Sequence, residues 1–241
     1  MLPTKWKAGF SSIIPPAMKI FIGKWNRICI RSSLDFLYPP LCLHCQARLP
    51  LDFSIFCQSC LDSLVLSTPE EHCPSCFTPF ENPQRPFCCE CVQHTSAFQR
   101  LLSVFDPSAI SQTFCRSLAS HSNAFLVQDA AAWMVYHYLS SRFPFPDLIC
   151  ASPTPRWKKI FHGPSVPERL AQECALFLKV PFHPGLLKTD LTEEACTLQK
   201  AANIEDKKVL LIQDALTSDF FKTGEALAEG FPQRIWGLTL V

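Results

Sequence analysis

Four Cys-x-x-Cys pairs, Cys42/Cys45, Cys57/Cys60, Cys73/Cys76 and Cys88/Cys91, limit what residues 42 to 91 can fold into. Each pair sets two thiolates on one tight turn, and two pairs close a tetrahedral site around a zinc ion, with Zn–S near about 2.3 Å. Eight cysteines predict two such ions per chain. Consecutive pairing, one with two and three with four, makes two zinc ribbons in tandem. A cross-braced pairing, first with third and second with fourth, satisfies the same spacings. A four-thiolate site has no open position, so these metals are expected to serve folding rather than catalysis. Cys89 competes with Cys88 as the partner of Cys91, and the two-residue spacing selects Cys88. His44, His72 and His94 read as solvated or hydrogen-bonded histidines rather than ligands. Gln46 and Phe77 stand after the second cysteine of a pair, where zinc knuckles take glycine.

The stretch from Lys207 to Ala228, KKVLLIQDALTSDFFKTGEALA, constrains the second half. Val209 to Ile212 is apolar without alternation, the pattern of a strand buried on both faces of a parallel sheet. Asp214 follows its end, where ligands sit in open α/β sheets. Thr217 and Ser218 come next, and helical composition runs from Lys222 to Glu229. A carboxylate there can accept ribose hydroxyl protons, and loop amides with a helix N-terminus can hold phosphate. The same pattern also describes a strand and loop that bind nothing.

Composition narrows the classes. The chain has 241 residues, 48% of them hydrophobic, enough for one or two domains with a sizeable core. A net charge of +1 gives no global argument for nucleic acid. Glycine is scarce, at 7, and none lies between Gly23 and Gly163, which is unusual for a phosphate-handling enzyme. Most of the 14 cysteines crowd into Cys42 to Cys91, where regular two-residue spacings and no convincing secretory signal read as metal sites in a cytoplasmic protein. The apolar run from Phe10 to Ile14 is cut off by Pro15 and Pro16, and no segment approaches the length of a membrane-spanning helix.

Residues 1–33 are expected to form a basic N-terminal extension, with Lys5, Lys7, Lys19, Lys24, Arg27 and Arg31 and no acidic residue before Asp35. It reads either as an arm for anionic partners or as a loose extension, with Met18 as another candidate start. The cysteine-rich module covers 34–98. From 99 to 241 strands and helices alternate: strands over Arg100–Phe105, Asp147–Ala151, a short one in Leu186–Leu198, Val209–Ile212 and Ile235–Val241. Helices are expected over Ser108–Leu118, over Val127–Leu139 with Ala131, Met134, Val135 and Tyr138 inward, and over Glu168–Lys179 with Leu170, Cys174, Phe177 and Leu178 inward. The alternation predicts an α/β fold with a parallel, doubly wound sheet. Cys115, Cys150, Cys174 and Cys196 read as small core residues, and His137 as packed or surface rather than catalytic.

The segment after Ile212 resembles the 5-phosphoribosyl-diphosphate (PRPP) loop of type I phosphoribosyltransferases, in which two acidic residues precede a Thr-Thr-Gly-x-Thr cradle. Gln213 holds the first acidic position, Asp214 the second, Thr217 and Ser218 the hydroxyl pair, and Asp219 the glycine, followed by Phe220 and Phe221. A double zinc ribbon ahead of such a domain is similar to the ComF family of competence-associated proteins, over roughly Leu34 to Val241. That family's Pro-Val-Pro strand end and Arg-Gly-Phe-Asn-Gln segment are matched loosely by Ser152-Pro153-Thr154-Pro155 and by Arg156, Lys158, Lys159 and His162-Gly163. Its later segment, with an arginine ahead of an asparagine, keeps the asparagine at Asn203, with Ala201 read at the arginine.

The resemblance implies PRPP contacts at Asp214, Thr217 and Ser218, nucleic-acid or diphosphate contacts at Arg156, Lys158 and Lys159, Mg²⁺ only together with PRPP, and single-stranded DNA or a competence helicase as partners. Because the acid pair, the cradle and the diphosphate-facing arginines all depart from the pattern, PRPP binding is expected to be weak. No catalytic residue is assigned. Asp219 is expected to repel a phosphate, and Phe220 to crowd the turn. An active phosphoribosyltransferase on an unknown acceptor, and a decayed protein without function, remain alternatives.

Overall fold

A computed structural model describes residues 39–49, 55–80, 85–93, 96–119, 124–155, 159–161, 163–189, 196–199 and 203–241. The basic extension therefore lies outside the described residues, as do Arg156, Trp157, Lys158 and Ala201. The chain divides into two compact units, 1–59 and 60–241, and the division falls inside the first cysteine group.

In the larger unit, strands β1 (Arg100–Ser103), β2 (Leu148–Ala151), β5 (Lys208–Ile212) and β6 (Arg234–Thr239) form one sheet in the order β1-β6-β5-β2, every pair parallel. In β5, Val209, Leu210, Leu211 and Ile212 are all fully buried, as an unalternating apolar run requires. Between β2 and β5 the chain makes an antiparallel hairpin, β3 (Leu187–Thr189) and β4 (Cys196–Leu198), where the sequence suggested a single short strand.

The described α-helices are α1 (Gln58–Asp62), α2 (Cys89–Gln93), α3 (Ala109–Leu118), α4 (Ala124–Ser140), α5 (Val166–Leu178) and α6 (Ser218–Ala228). Helix α3 starts on a reciprocal capping box between Ser108 and Ser111, and α5 on one between Ser165 and Glu168. Helices α4 and α5 pack on each other, and α5 also covers β2 and β5. Ala131, Met134, Val135 and Tyr138 of α4 are buried as expected. On α5, Leu170, Cys174 and Leu178 face the core, but Phe177 is 43% exposed. Its place one residue before Leu178 rotates it towards the helix edge.

Helix α6 covers the opposite face. A Cβ on Gly237 would lie 2.7 Å from the Phe220 ring, so the middle of β6 presents no side chain where α6 approaches. Gly224 on α6 serves the same end, since a Cβ there would meet the Phe98 ring at 2.5 Å. Alternation along β6 turns the buried Trp236 and Leu238 to the α4 side. Helices on both faces of a parallel sheet make this the doubly wound α/β fold that the alternation predicted.

Candidate functional site

The eight paired cysteines gather into two groups, Cys42/Cys45/Cys57/Cys60 and Cys73/Cys76/Cys88/Cys91, the sulfurs of each within 4.8 Å of one another. Consecutive pairs therefore meet, and the cross-braced alternative does not occur. The two groups repeat each other at one constant offset. Cys42 N–H donates to Ala47 C=O at 2.8 Å as Cys73 N–H does to Thr78 C=O at 2.9 Å. Cys57 N–H donates to Cys42 Sγ at 3.3 Å as Cys88 N–H does to Cys73 Sγ at 3.5 Å. Gln46 and Phe77 both take φ 61°, so the glycine-like turn is kept without glycine. Such backbone costs a β-carbon-bearing residue about 1 kcal/mol. This internal repeat escaped the sequence reading, although equal spacings within the two groups signalled it.

The donor set suits zinc. Burial raises the Cys42 and Cys73 thiols, but backbone N–H groups, led by Cys45 for the first and Cys88 for the second, outweigh it and bring them down to about 6 and about 7. Thiolate is the ligating form, so these N–H groups favour it at Cys42 and Cys73, while burial raises the Cys76 and Cys91 thiols. The four sulfurs of each group would hold the ion, which supplies a cross-link between two chain segments. Cys89 is exposed and outside both groups. His72 is no ligand: its ring stacks on Phe77 at 4.4 Å, and its Nδ1 lies 2.9 Å from Thr68 C=O. His94 lies outside the described residues.

A cleft of about 380 Å³ opens at the carboxyl ends of β2 and β5. Its walls are Ser152 to Pro155 after β2, Pro167 on α5, Thr189 and Cys196 on the hairpin, Gln213 and Asp214 after β5, and Asp219, Lys222 and Thr223 on α6. The chain leaving β2 runs to α5 on one face and the chain leaving β5 runs to α6 on the other, which is where α/β sheets bind ligands. Of the sequence-derived residues, Asp214 lines this cleft. Thr217 stands at the N-cap position of α6 without a side-chain capping bond, and Ser218 begins the helix. Both are exposed, and neither is among the lining residues.

Gln213 is 7% exposed and uses both ends of its amide internally. Its Oε1 accepts from Ser152 Oγ, and its Nε2 donates to Thr217 Oγ1 at 2.9 Å. The amide thereby ties the end of β2 to the start of α6. Its backbone N–H donates to Leu238 C=O at 3.1 Å. Burial raises the Asp214 carboxyl above its ordinary range, and its own N–H and that of Ala215 offset this only in part. On α6, Thr223 Oγ1 donates to Asp219 C=O at 2.6 Å, and the Lys222 ammonium lies 3.6 Å from the Asp219 carboxylate.

Three expectations are corrected here. Helix α6 begins at Ser218 rather than Lys222, because Phe220, Thr223, Gly224 and Leu227 already form one buried stripe. Phe220 accordingly does not crowd the turn: it is fully buried and stacked on Phe98 at 4.8 Å. Cys150 and Cys174 are core residues, but Cys196 is a wall of the cleft, with burial raising its thiol to about 11. Cys115 is only partly buried, and its Sγ lies 3.6 Å from Asp214 C=O.

Of the basic loop, Lys159 is described, and it forms an ion pair with buried Glu168. The next two residues, Ile160 and Phe161, are 79% and 77% exposed. His137 is packed, as expected, with Nε2 3.4 Å from Ser67 Oγ and its pKa lowered by burial.

No family model and no curated protein matches this chain. Among solved structures it is similar to the hypoxanthine-guanine phosphoribosyltransferase of Leishmania tarentolae in complex with GMP, with TM-score 0.30 and 11% identity over 54% of this chain and 66% of that one. The hypoxanthine phosphoribosyltransferase of Trypanosoma cruzi gives TM-score 0.30 and 13% identity over 52% and 66%. The L. donovani enzyme gives 0.29 and 15% over 54% and 67%. This chain thus spans just under two thirds of the first two. At TM-scores near 0.30 the overlay is loose, and the chemistry of the cleft is read from its own residues.

Proposed function

We propose that this chain is a ComF-like binding protein whose sheet domain no longer transfers phosphoribosyl groups. The observation that supports this reading is the engagement of Gln213. A type I site needs free acceptors at the end of this strand to meet ribose hydroxyls and, with them, Mg²⁺. Here the first of those positions is an amide rather than a carboxylate, and its oxygen and nitrogen are each engaged in holding β2 to α6. Asp214 remains as an acceptor, while the Asp219 carboxylate stands in the wall of the same cleft and pairs with Lys222, the cation beside it that a phosphate would otherwise meet. Catalysis of this type rests on positioning the diphosphate and stabilising its departing charge. The one described cation of the basic loop, Lys159, is held by Glu168. Zinc would be confined to the two cysteine groups, whose four sulfurs leave no open coordination position for a reacting atom.

The binding role assigned to such a body is contact with single-stranded DNA or a DNA-handling helicase. It is supported by Ile160 and Phe161, exposed next to Arg156, Trp157, Lys158 and Lys159 in sequence, since aromatic faces among cations can stack bases. Replacing Arg156, Lys158 and Lys159 together by Ala should weaken oligonucleotide binding and flatten its salt dependence. Unchanged binding would place the contact elsewhere. The existence of the cleft, with Asp214 in it, is the observation on the side of an active phosphoribosyltransferase. Calorimetric titration with PRPP and Mg²⁺ separates the two. The proposed function requires no saturable binding in the micromolar range, and tight binding lost in Asp214→Asn would favour the enzyme.

A further inference from the structure

The outer edge of β1 is closed by the second cysteine group and the segment leading into it. β1 is an end strand of the sheet, with only β6 as its neighbour in it. On its other side Leu101 N–H donates to Pro74 C=O at 2.7 Å. Pro74 lies inside the knuckle between Cys73 and Cys76. Further along, Ser67 N–H donates to Val104 C=O at 3.0 Å and Asp106 N–H to Val65 C=O at 3.1 Å, with Leu66 and Phe105 opposite each other as an antiparallel bridge. Ser67 Oγ donates to Ser103 C=O. On this side Leu101 N–H, the Ser103 and Val104 carbonyls and Asp106 N–H are therefore satisfied by residues inside the cysteine group or leading into it, while Val104 N–H and Phe105 N–H donate to Thr239 C=O and Leu240 C=O on the β6 side.

That segment makes a poor strand by itself. Val65 is 56% exposed and Leu66 37%, so little buried apolar surface holds it. Its C-terminal anchor is the cysteine group, where a bound ion would cross-link the Cys73/Cys76 turn to the Cys88/Cys91 turn. The edge beneath has the opposite character. Leu101, Leu102, Val104 and Phe105 are buried, and no charged residue or proline stands between Arg100 and Asp106. An uncovered edge of this composition pairs with another strand. The strand that every molecule supplies in equal measure is its own copy, and two identical edges can meet about a two-fold axis.

We propose that the second cysteine group is a metal-dependent cover for the edge of the sheet: loaded, it completes the hydrogen bonds of β1, and emptied, it frees that edge to pair with the β1 edge of a second copy. Loss of metal becomes self-association through a defined strand, while the rest of the sheet stays folded.

The test uses the full chain loaded with zinc, before and after a high-affinity chelator, followed by hydrogen exchange and by mass in solution. Chelation should speed exchange of the Leu101 and Asp106 amides at least tenfold, leave the amides of Val209 to Ile212 protected, and raise the mass in a concentration-dependent way that zinc reverses. The Cys73→Ser/Cys76→Ser double variant should behave like the chelated protein. Cys42→Ser/Cys45→Ser should not, because Val65, Ser67 and Pro74 supply the edge bonds. Unchanged exchange at Leu101 and Asp106 would overturn the proposal, as would an unchanged mass. Loss of protection at Val209 to Ile212 together with the edge would also overturn it, since the sheet would then be unfolding as a whole.

Discussion

Replacing Phe220 by Ala separates two accounts of the loop after β5. If its ring stood in the turn, truncation would enlarge the cleft at little cost in stability. The structure places it elsewhere. The ring is fully buried, stacked on Phe98 with an interplanar angle of 6°, meets Phe221 edge-on at 6.1 Å, and fills the space left by Gly237. Removing a buried phenylalanine side chain costs about 3–5 kcal/mol, and stacking contributes about 0.5–1.5 kcal/mol beyond buried area. Gly237 and Gly224 offer no side chain to fall into the gap, so the upper half of the first range is expected, roughly 4–5 kcal/mol. Urea unfolding of zinc-saturated protein, followed by fluorescence of buried Trp236, measures this. A loss below about 1 kcal/mol with improved PRPP binding would refute the placement of Phe220 in the core.

Other outcomes follow from single residues. Asp214→Asn should raise stability at neutral pH. The folded-state pKa of Asp214 lies above its unfolded value, so stability falls as pH rises through that window, and the gain should vanish below it; a gain independent of pH would contradict the burial argument. Gln46→Gly should stabilise the first cysteine group by about 1 kcal/mol by relieving the positive φ, read as slower zinc release to a chelator, whereas Phe77→Gly should gain little because it also loses the stack on His72. Elemental analysis of protein purified without added metal should give about two zinc ions per chain; a folded, reduced sample near zero would end the double-ribbon reading.

What the sequence disclosed depended on how local the cause was. β5 was legible because an apolar run between lysines and Asp214 allows few alternatives. The cysteine groups were legible as ligand pairs, but their partnership needed the fold. The start of α6 was misplaced because Ser218 and Asp219 were read as a phosphate cradle, when Phe220, Thr223, Gly224 and Leu227 already spell a buried helical stripe. The role of Gln213 could not be read at all: it depends on Ser152, which β2 brings alongside β5. Long-range contacts also decide the cover over β1 and the place of Cys196 in the cleft wall.

Diphosphate release from PRPP with Mg²⁺ tests most directly the proposal that the cleft after β5 does not support phosphoribosyl transfer. Across a panel of purine, pyrimidine and other amine acceptors, release should stay at the uncatalysed rate and be the same for Asp214→Asn. Turnover that disappears in Asp214→Asn would contradict the account and make this chain an enzyme.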